Sequence, residues 1–299
     1  MNPPSQRLSV VVALVVVQLF YGLHYIAARL VIADIPPRGW AVLRVAGGAL
    51  VLVLVCLAAR KSLRISKLDL RELAVLSIFG VVINQVLFIE GLSRTSTAHS
   101  SLINACIPAL TLLIAVLLHR ERVTTRKLWA LLIATGGVAL VIAPSNSAFG
   151  ARMLTGDLLT LTNATSFSLF LVLSKRLMSR MDPLVASTWL MVIGTIGIGI
   201  VGGPTLVGAM PLDLSAQTWW LAAFIMIFPT AAVYVLAYWA LKRIESSSVA
   251  LFVYLQPIIA STLAVWLFGE ALGWPVFVGG SLIFAGIFLT LRRQRDLRQ

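Results

Sequence analysis

The sequence predicts an all-α polytopic membrane protein, with ten transmembrane helices arranged as two inverted five-helix repeats. Three observations predict it. The chain is too apolar for water, its apolar residues fall in runs of spanning length, and its second half repeats its first. Of 299 residues, 59% are hydrophobic and 12% charged, with mean hydropathy +0.96. Soluble domains carry about 25% charged residues. A globule this apolar could not cover itself with polar surface, which excludes a soluble enzyme and a disordered chain. The net charge of +13, from 24 Lys+Arg against 11 Asp+Glu, does not point to nucleic acid. A nucleic-acid face needs clustered bases on a soluble surface, whereas here the bases sit in short groups between apolar runs.

A helix crossing about 30 Å of hydrocarbon needs roughly 20 apolar residues. The first such run, 8–32, follows Arg7. It is too long for a signal-peptide core and lacks a good small-residue cleavage site, so it is read as a retained helix. The next four runs are 38–59, 70–92, 96–118 and 126–143. The other five are 154–177, 183–203, 216–240, 246–268 and 273–291. Each is continuously apolar, unlike the alternating strands of a membrane barrel. The connecting loops are too short to hold a domain. Cys56 and Cys106 both fall inside runs, so neither a disulfide framework nor a metal site is expected.

Loop charge sets direction. With the N-terminus in the cytoplasm, 19 of the 24 bases face inward: Arg7, the groups 60–71, 120–127, 175–180 and 242–243, and the C-terminal arginines. Arg29, Arg38, Arg44, Arg94 and Arg152 fall outside or in the outer half. A bias of this size fixes orientation. Both termini are expected in the cytoplasm, in an inner membrane, and the excess charge records insertion direction.

A shift of 149 residues places Leu92 on Leu241, Arg94 on Arg243, Leu102 on Leu251, Pro108 on Pro257, Glu121 on Glu270 and Gly137 on Gly286. A shift of 147 places Leu14 on Leu161, Phe20 on Phe167, Arg29-Leu30 on Arg176-Leu177, Pro36 on Pro183 and Gly47 on Gly194. The repeats are therefore 8–143 and 154–292. Five helices is an odd number, so the second copy enters the membrane from the opposite side. Inverted repeats of this kind recur in secondary transporters.

The doubled pattern also carries a family resemblance. The first copy reads Gly91-Leu92-Ser93-Arg94-Thr95-Ser96-Thr97-Ala98, then Pro108, Arg120-Glu121-Arg122-Val123 and Gly136-Gly137. The second reads Ala240-Leu241-Lys242-Arg243 through Ala250, then Pro257, Gly269-Glu270-Ala271-Leu272, Gly279-Gly280 and Gly286. This resembles the drug/metabolite transporter superfamily, EamA type. Tyr21-Gly22 stands where the family has Trp-Gly, Leu43-Arg44 carries the family's arginine, and His119-Arg120 replaces the usual Leu-Gly before the glutamate. The resemblance implies ten helices, a central substrate cavity, and mostly export of amino acids or other small metabolites. No enzyme activity is expected: no H-E-x-x-H, paired acids or G-x-S-x-G lies in a span. No P-loop is present either, so drive would come from a gradient.

Ionisable and polar residues inside a bilayer are costly and usually face the interior. They give the candidate substrate site: Tyr21, His24, Tyr25, Arg44, Asn84, Gln85, Phe88, His99, Asn104, Asn163, Tyr234, Tyr238, Tyr254 and Gln256. Arg44, two turns into its span, offers a fixed positive charge to a carboxylate. Glu90, His24 and His99 are candidates for proton coupling; Glu90 could also pair with Arg44 or Arg94. Pro108 and Pro257 occupy matched positions and are candidate gating kinks. Glu121 and Glu270 read as caps on the helices that follow them. The expected partners are a small-molecule substrate, protons and the lipid bilayer, with no nucleic acid, no cofactor and no metal. The oligomeric state stays open between monomer and homodimer.

Overall fold

In the computed structural model, which describes residues 4–95, 100, 103–142, 151–209, 213–256, 258–259 and 274–292, every regular element is helical. α1 is Pro4–Asp34 and α2 is Pro37–Ala58. α3 runs Lys67–Leu92 and contains a wide π segment at Ile78–Ile83. α4 is Ile107–Leu117, α5 Thr125–Ile142, α6 Ala151–Arg180 and α7 Pro183–Ala209. α8 runs Ala216–Leu241 with a second π segment at Met226–Ala232. α9 is Ser246–Leu251, extended by a 3₁₀ turn at Phe252–Tyr254, and α10 is Trp274–Arg292. Among the described residues, six helices are long and apolar enough to cross a membrane: α1, α2, α3, α6, α7 and α8. α4 is apolar but short.

Local chemistry explains the boundaries. Pro36 and Pro37 open α2, since proline has no N–H to leave unpaired and holds a helical φ. The Asp182 carboxylate accepts the N–H of Leu184 at 3.0 Å and of Val185 at 3.3 Å, and so caps α7. α2 and α4 end in left-handed residues, Arg60 at φ 51° and His119 at φ 53°. Their successors Lys61 and Arg120 return an N–H to Cys56 and Ala115, a turn that satisfies the last carbonyls.

α3 and α8 are built alike from end to end. Ser66 caps α3 by accepting the N–H of Asp69 at 3.0 Å, and Ser215 caps α8 by accepting that of Thr218 at 3.1 Å. Each then carries its π segment across its midpoint. At the far end, Arg29 of α1 donates to the carbonyls of Leu92 (2.8 Å) and Thr95 (3.1 Å). Lys175 of α6 donates likewise to Leu241 and, at 2.6 Å, to Ile244. Bases suit the negative end of a helix dipole.

The packing follows the same pairing. α2 lies along α7 and α5 along α10, while α3 packs on α6 and α8 on α1. At the α5–α10 contact the backbones touch. A Cβ on Gly137 would meet the Gly279 carbonyl at 2.5 Å, and one on Gly286 would meet that of Ala130 at 2.7 Å. Small residues permit such approach between membrane helices. Large apolar side chains such as Leu54, Leu57, Ile196, Ile200 and Phe288 point outward. A face of that kind is a liability in water and ordinary against lipid.

Polar contacts sort the loops into two ends. At one end Lys61 meets Asp182 (2.8 Å), Arg180 meets Asp69 (2.6 Å) and Glu72 (3.1 Å), and Lys127 meets Glu121 (2.8 Å) and Glu245 (2.9 Å). At the other end Glu90 meets Arg38 (2.7 Å) and Arg94, Thr95 donates to Asp157 (2.5 Å), and Thr218 donates to Asp34. Residues assigned by charge to opposite sides of the membrane are thus gathered at opposite ends of the bundle. Glu121 differs from expectation. Its carboxylate accepts the Ser247 N–H at 3.2 Å and the Ser247 hydroxyl at 2.5 Å. It therefore caps α9 in the other half and not the helix that follows it. Glu270 lies outside the described residues.

Candidate functional site

A cavity with an empty volume of about 470 Å³ lies where α1, α2, α3 and α6 converge. α1 contributes Tyr21, His24 and Tyr25, one to four residues apart and so on one helical face. α2 contributes Arg44, and α3 contributes Asn84, Gln85 and Phe88 just after its π segment. Asn104 and Ile107 enter from the start of α4, Asn163 and Phe167 from α6, and Val253 and Gln256 from the end of α9.

Arg44 is only 2% exposed. Its Nε donates to Thr230 Oγ1 at 2.8 Å, and among the described residues no carboxylate pairs with it. Thr230 belongs to the π segment of α8, beside Pro229, which cannot donate within the helix. The other π segment supplies the Gly80 carbonyl, which accepts the Tyr234 hydroxyl at 2.7 Å. Each wide turn therefore presents a polar atom towards the middle of the bundle. π turns are rare and concentrate at functional sites.

The amides form a directed chain. Asn84 Nδ2 donates to Asn163 Oδ1 at 2.6 Å, Asn163 Nδ2 to Asn104 Oδ1 at 3.2 Å, and Asn104 Nδ2 to the Tyr25 hydroxyl at 2.8 Å. Gln256 Nε2 donates to Gln18 Oε1 at 2.7 Å. Buried amides are stable only when so engaged. His24 is 3% exposed and stacks on Phe88 with ring centres 5.4 Å apart, and its Nε2 has no hydrogen-bond partner among the described residues. Tyr25 meets Phe88 edge-on at 5.5 Å.

The structure thus brings together Tyr21, His24, Tyr25, Arg44, Asn84, Gln85, Phe88, Asn104, Asn163 and Gln256. Three predicted tyrosines stand behind the wall. Tyr234 accepts from Gln85 at 3.3 Å, Tyr238 packs on Phe170 at 5.9 Å, and Tyr254 is hydrogen-bonded to Thr135 at 2.7 Å. Glu90 does not reach Arg44. Arg38 and Arg94 engage it at the bundle end, away from the cavity lining. Pro108 sits in the first turn of α4, just after a break at Ala105–Cys106 that follows the helical residues 103–104. His99 and Pro257 lie outside the described residues. Sequence reasoning missed Gln18, Phe167 and Thr230. Gln18 was detectable, three residues before Tyr21 on the same face of an apolar helix. Phe167 and Thr230 carry no such signal, since aromatic and threonine side chains are common on packed faces.

The sequence model of the EamA-like transporter family matches residues 8–143 and again 154–292. The chain is 26% identical over 296 residues to the uncharacterized transporter YyaM of Bacillus subtilis (strain 168), covering 94% of this chain and 93% of that one. It is 27% identical over 235 residues to a probable terminal-alkyne amino-acid exporter of Streptantibioticus cattleyicolor, covering 77% and 76%. A crystal structure 18% identical in sequence superposes with a TM-score of 0.77 over 98% of this chain and all of its own, which shows a shared fold.

Proposed function

We infer that this chain, which belongs to the EamA-like transporter family, is a secondary transporter that exports a small polar metabolite, an amino acid or a related compound, by alternating access. The observation that carries the reading is Arg44, a buried cation in a central cavity with no acidic partner among the described residues. Removing an ion from water costs several kcal/mol unless another charge compensates it. A bound anionic group supplies that compensation. Asn84, Asn104 and Asn163 offer orienting polar groups, and Tyr21, Phe88 and Phe167 offer apolar surface. Export, as the direction, rests on the family resemblance and on the name of the Streptantibioticus relative.

Two five-helix repeats, 8–143 and 154–292, are the working architecture. The double family match, the matched caps and π segments of α3 and α8, and the pairing of α2 with α7 and α5 with α10 support it. The basic end of the bundle is assigned to the cytoplasm of an inner membrane on loop charge. The test is flux in proteoliposomes. Saturable counterflow of an amino acid that falls at least tenfold in Arg44→Ala and several-fold in Asn84→Ala supports the reading. Unsaturable flux makes the protein a channel. An imposed pH gradient that leaves flux unchanged removes proton coupling.

A further inference from the structure

The geometry points to a site that recognises its substrate by a carboxylate and, among the described residues, offers an amine no charged partner, so that a small monocarboxylate with an apolar or aromatic body is carried at least as well as its amino-bearing counterpart. This rests on the transport reading above and narrows its substrate class. Arg44 supplies the one permanent charge among the described residues that line the cavity. Its Nε is held by Thr230, and its two terminal nitrogens make no hydrogen bond among the described residues. The fork of a guanidinium matches the two oxygens of a carboxylate. Thr230 engages the Nε of Arg44, and the proposal gives the edge formed by the two terminal nitrogens to the ligand.

An ammonium has no charged counterpart among the described residues, and only neutral oxygens such as those of Asn84, Gln85 and Tyr21 face it. No acidic side chain lines the cavity among the described residues, and Glu90, the acid closest in sequence to the cavity face of α3, is turned to Arg38 and Arg94. The amide oxygens of Asn163 and Asn104 already accept bonds within their chain. A cation in this space would meet neutral dipoles beside a fixed positive charge, and like charges in a low-dielectric site repel strongly. Tyr21, Phe88 and Phe167 give the substrate body an apolar wall.

The test uses matched triplets on one body: L-tyrosine, 3-(4-hydroxyphenyl)propanoate and tyramine, with the same set on the leucine and alanine bodies. Flux in proteoliposomes is measured above protein-free vesicles, and thermal unfolding in detergent is measured with each compound at 10-fold steps up to saturation. The expected result is saturable flux of the acids, equal to or above that of the amino acids, with none of the amines. Arg44→Gln should lower acid flux at least tenfold, and Arg44→Lys should retain part of it. Saturable flux of any amine overturns the proposal and leaves the transporter reading intact. Flux of the amino acids without the acids does the same. If no compound moves, the transporter reading fails, and unfolding decides the site alone. A midpoint raised by carboxylates in the parent but not in a monodisperse Arg44→Gln supports the site. No rise, or a rise with amines only, overturns it.

Discussion

Gln85 and Tyr234 stand 149 residues apart in the chain and hydrogen-bond to each other, Nε2 to hydroxyl, at 3.3 Å. The same displacement relates Ser66 to Ser215, Leu92 to Leu241 and Gly137 to Gly286. In the proposed arrangement of two inverted repeats, counterparts touch only where they lie beside the twofold axis. Tyr234 also donates to Gly80 at 2.7 Å, so one hydroxyl joins the π turn of α3 to its partner helix. Tyr234→Phe should lower stability by about 1–2 kcal/mol, because it orphans a buried amide donor and a carbonyl. Thermal unfolding in detergent reads this directly, and a change within error would show that water replaces the hydroxyl.

Gly137 and Gly136 predict opposite outcomes one residue apart. A Cβ at 137 meets the Gly279 carbonyl, whereas a Cβ at 136 meets nothing within 4 Å among the described residues. Gly137→Ala should cost about 1–3 kcal/mol by forcing α5 and α10 apart. Gly136→Ala should be neutral or slightly stabilising. Equal effects at the two sites would mean that the close helix contact is not the determinant.

Glu121 and Lys127 are largely buried, with side chains 6% and 14% exposed. Glu121→Gln leaves Lys127 without its buried partner and weakens the cap on α9. A loss of about 2–4 kcal/mol is expected. Glu121→Gln combined with Lys127→Met should recover part of that loss, since the buried ammonium, left with only the exposed Glu245 as partner, is gone. The double-mutant cycle measures the coupling.

Lys61 and Asp182 tie the two halves at the basic end with exposed side chains, so their removal should leave the unfolding midpoint nearly unchanged. Burial pushes the Asp182 carboxyl up, but the Lys61 ammonium and the N–H groups of Val185 and Leu184 outweigh it and hold it below its usual value. A depressed carboxylate stabilises above its unfolded value of about 3.9 and loses that contribution as pH falls through the lower folded value. The tie should therefore hold at pH 5 and open only below about pH 4. In alternating access this end must part. Lys61→Ala with Arg180→Ala should raise several-fold the rate at which an impermeant thiol reagent, added at that end, labels a cysteine placed at Phe167.

Much of this was legible in the residues, for physical reasons. Continuous apolar runs mark helices because a bilayer leaves backbone groups no other partner. Arg44 and the asparagines marked the cavity because their burial is too costly to be incidental. Tyr234, Tyr238 and Tyr254 could not be sorted from Tyr21 and Tyr25 in the same way. Helical spacing gives a face, while the neighbour that a face meets is set by packing between distant segments. Glu121 shows the same limit: its partner Ser247 is 126 residues away. The π segments left no trace in hydropathy, since a wide turn changes register and not composition.

Those two wide turns also bear on history. A π turn holds an extra residue, and such insertions are seldom retained twice by chance at matched positions. Ile78–Ile83 and Met226–Ala232 sit at corresponding registers, each followed by the same length of helix to Leu92 and Leu241. If the halves descend from one gene, the ancestral unit already carried its wide turn before it was copied. The ancestor would then have placed that turn at the seam between two separate subunits of opposite orientation.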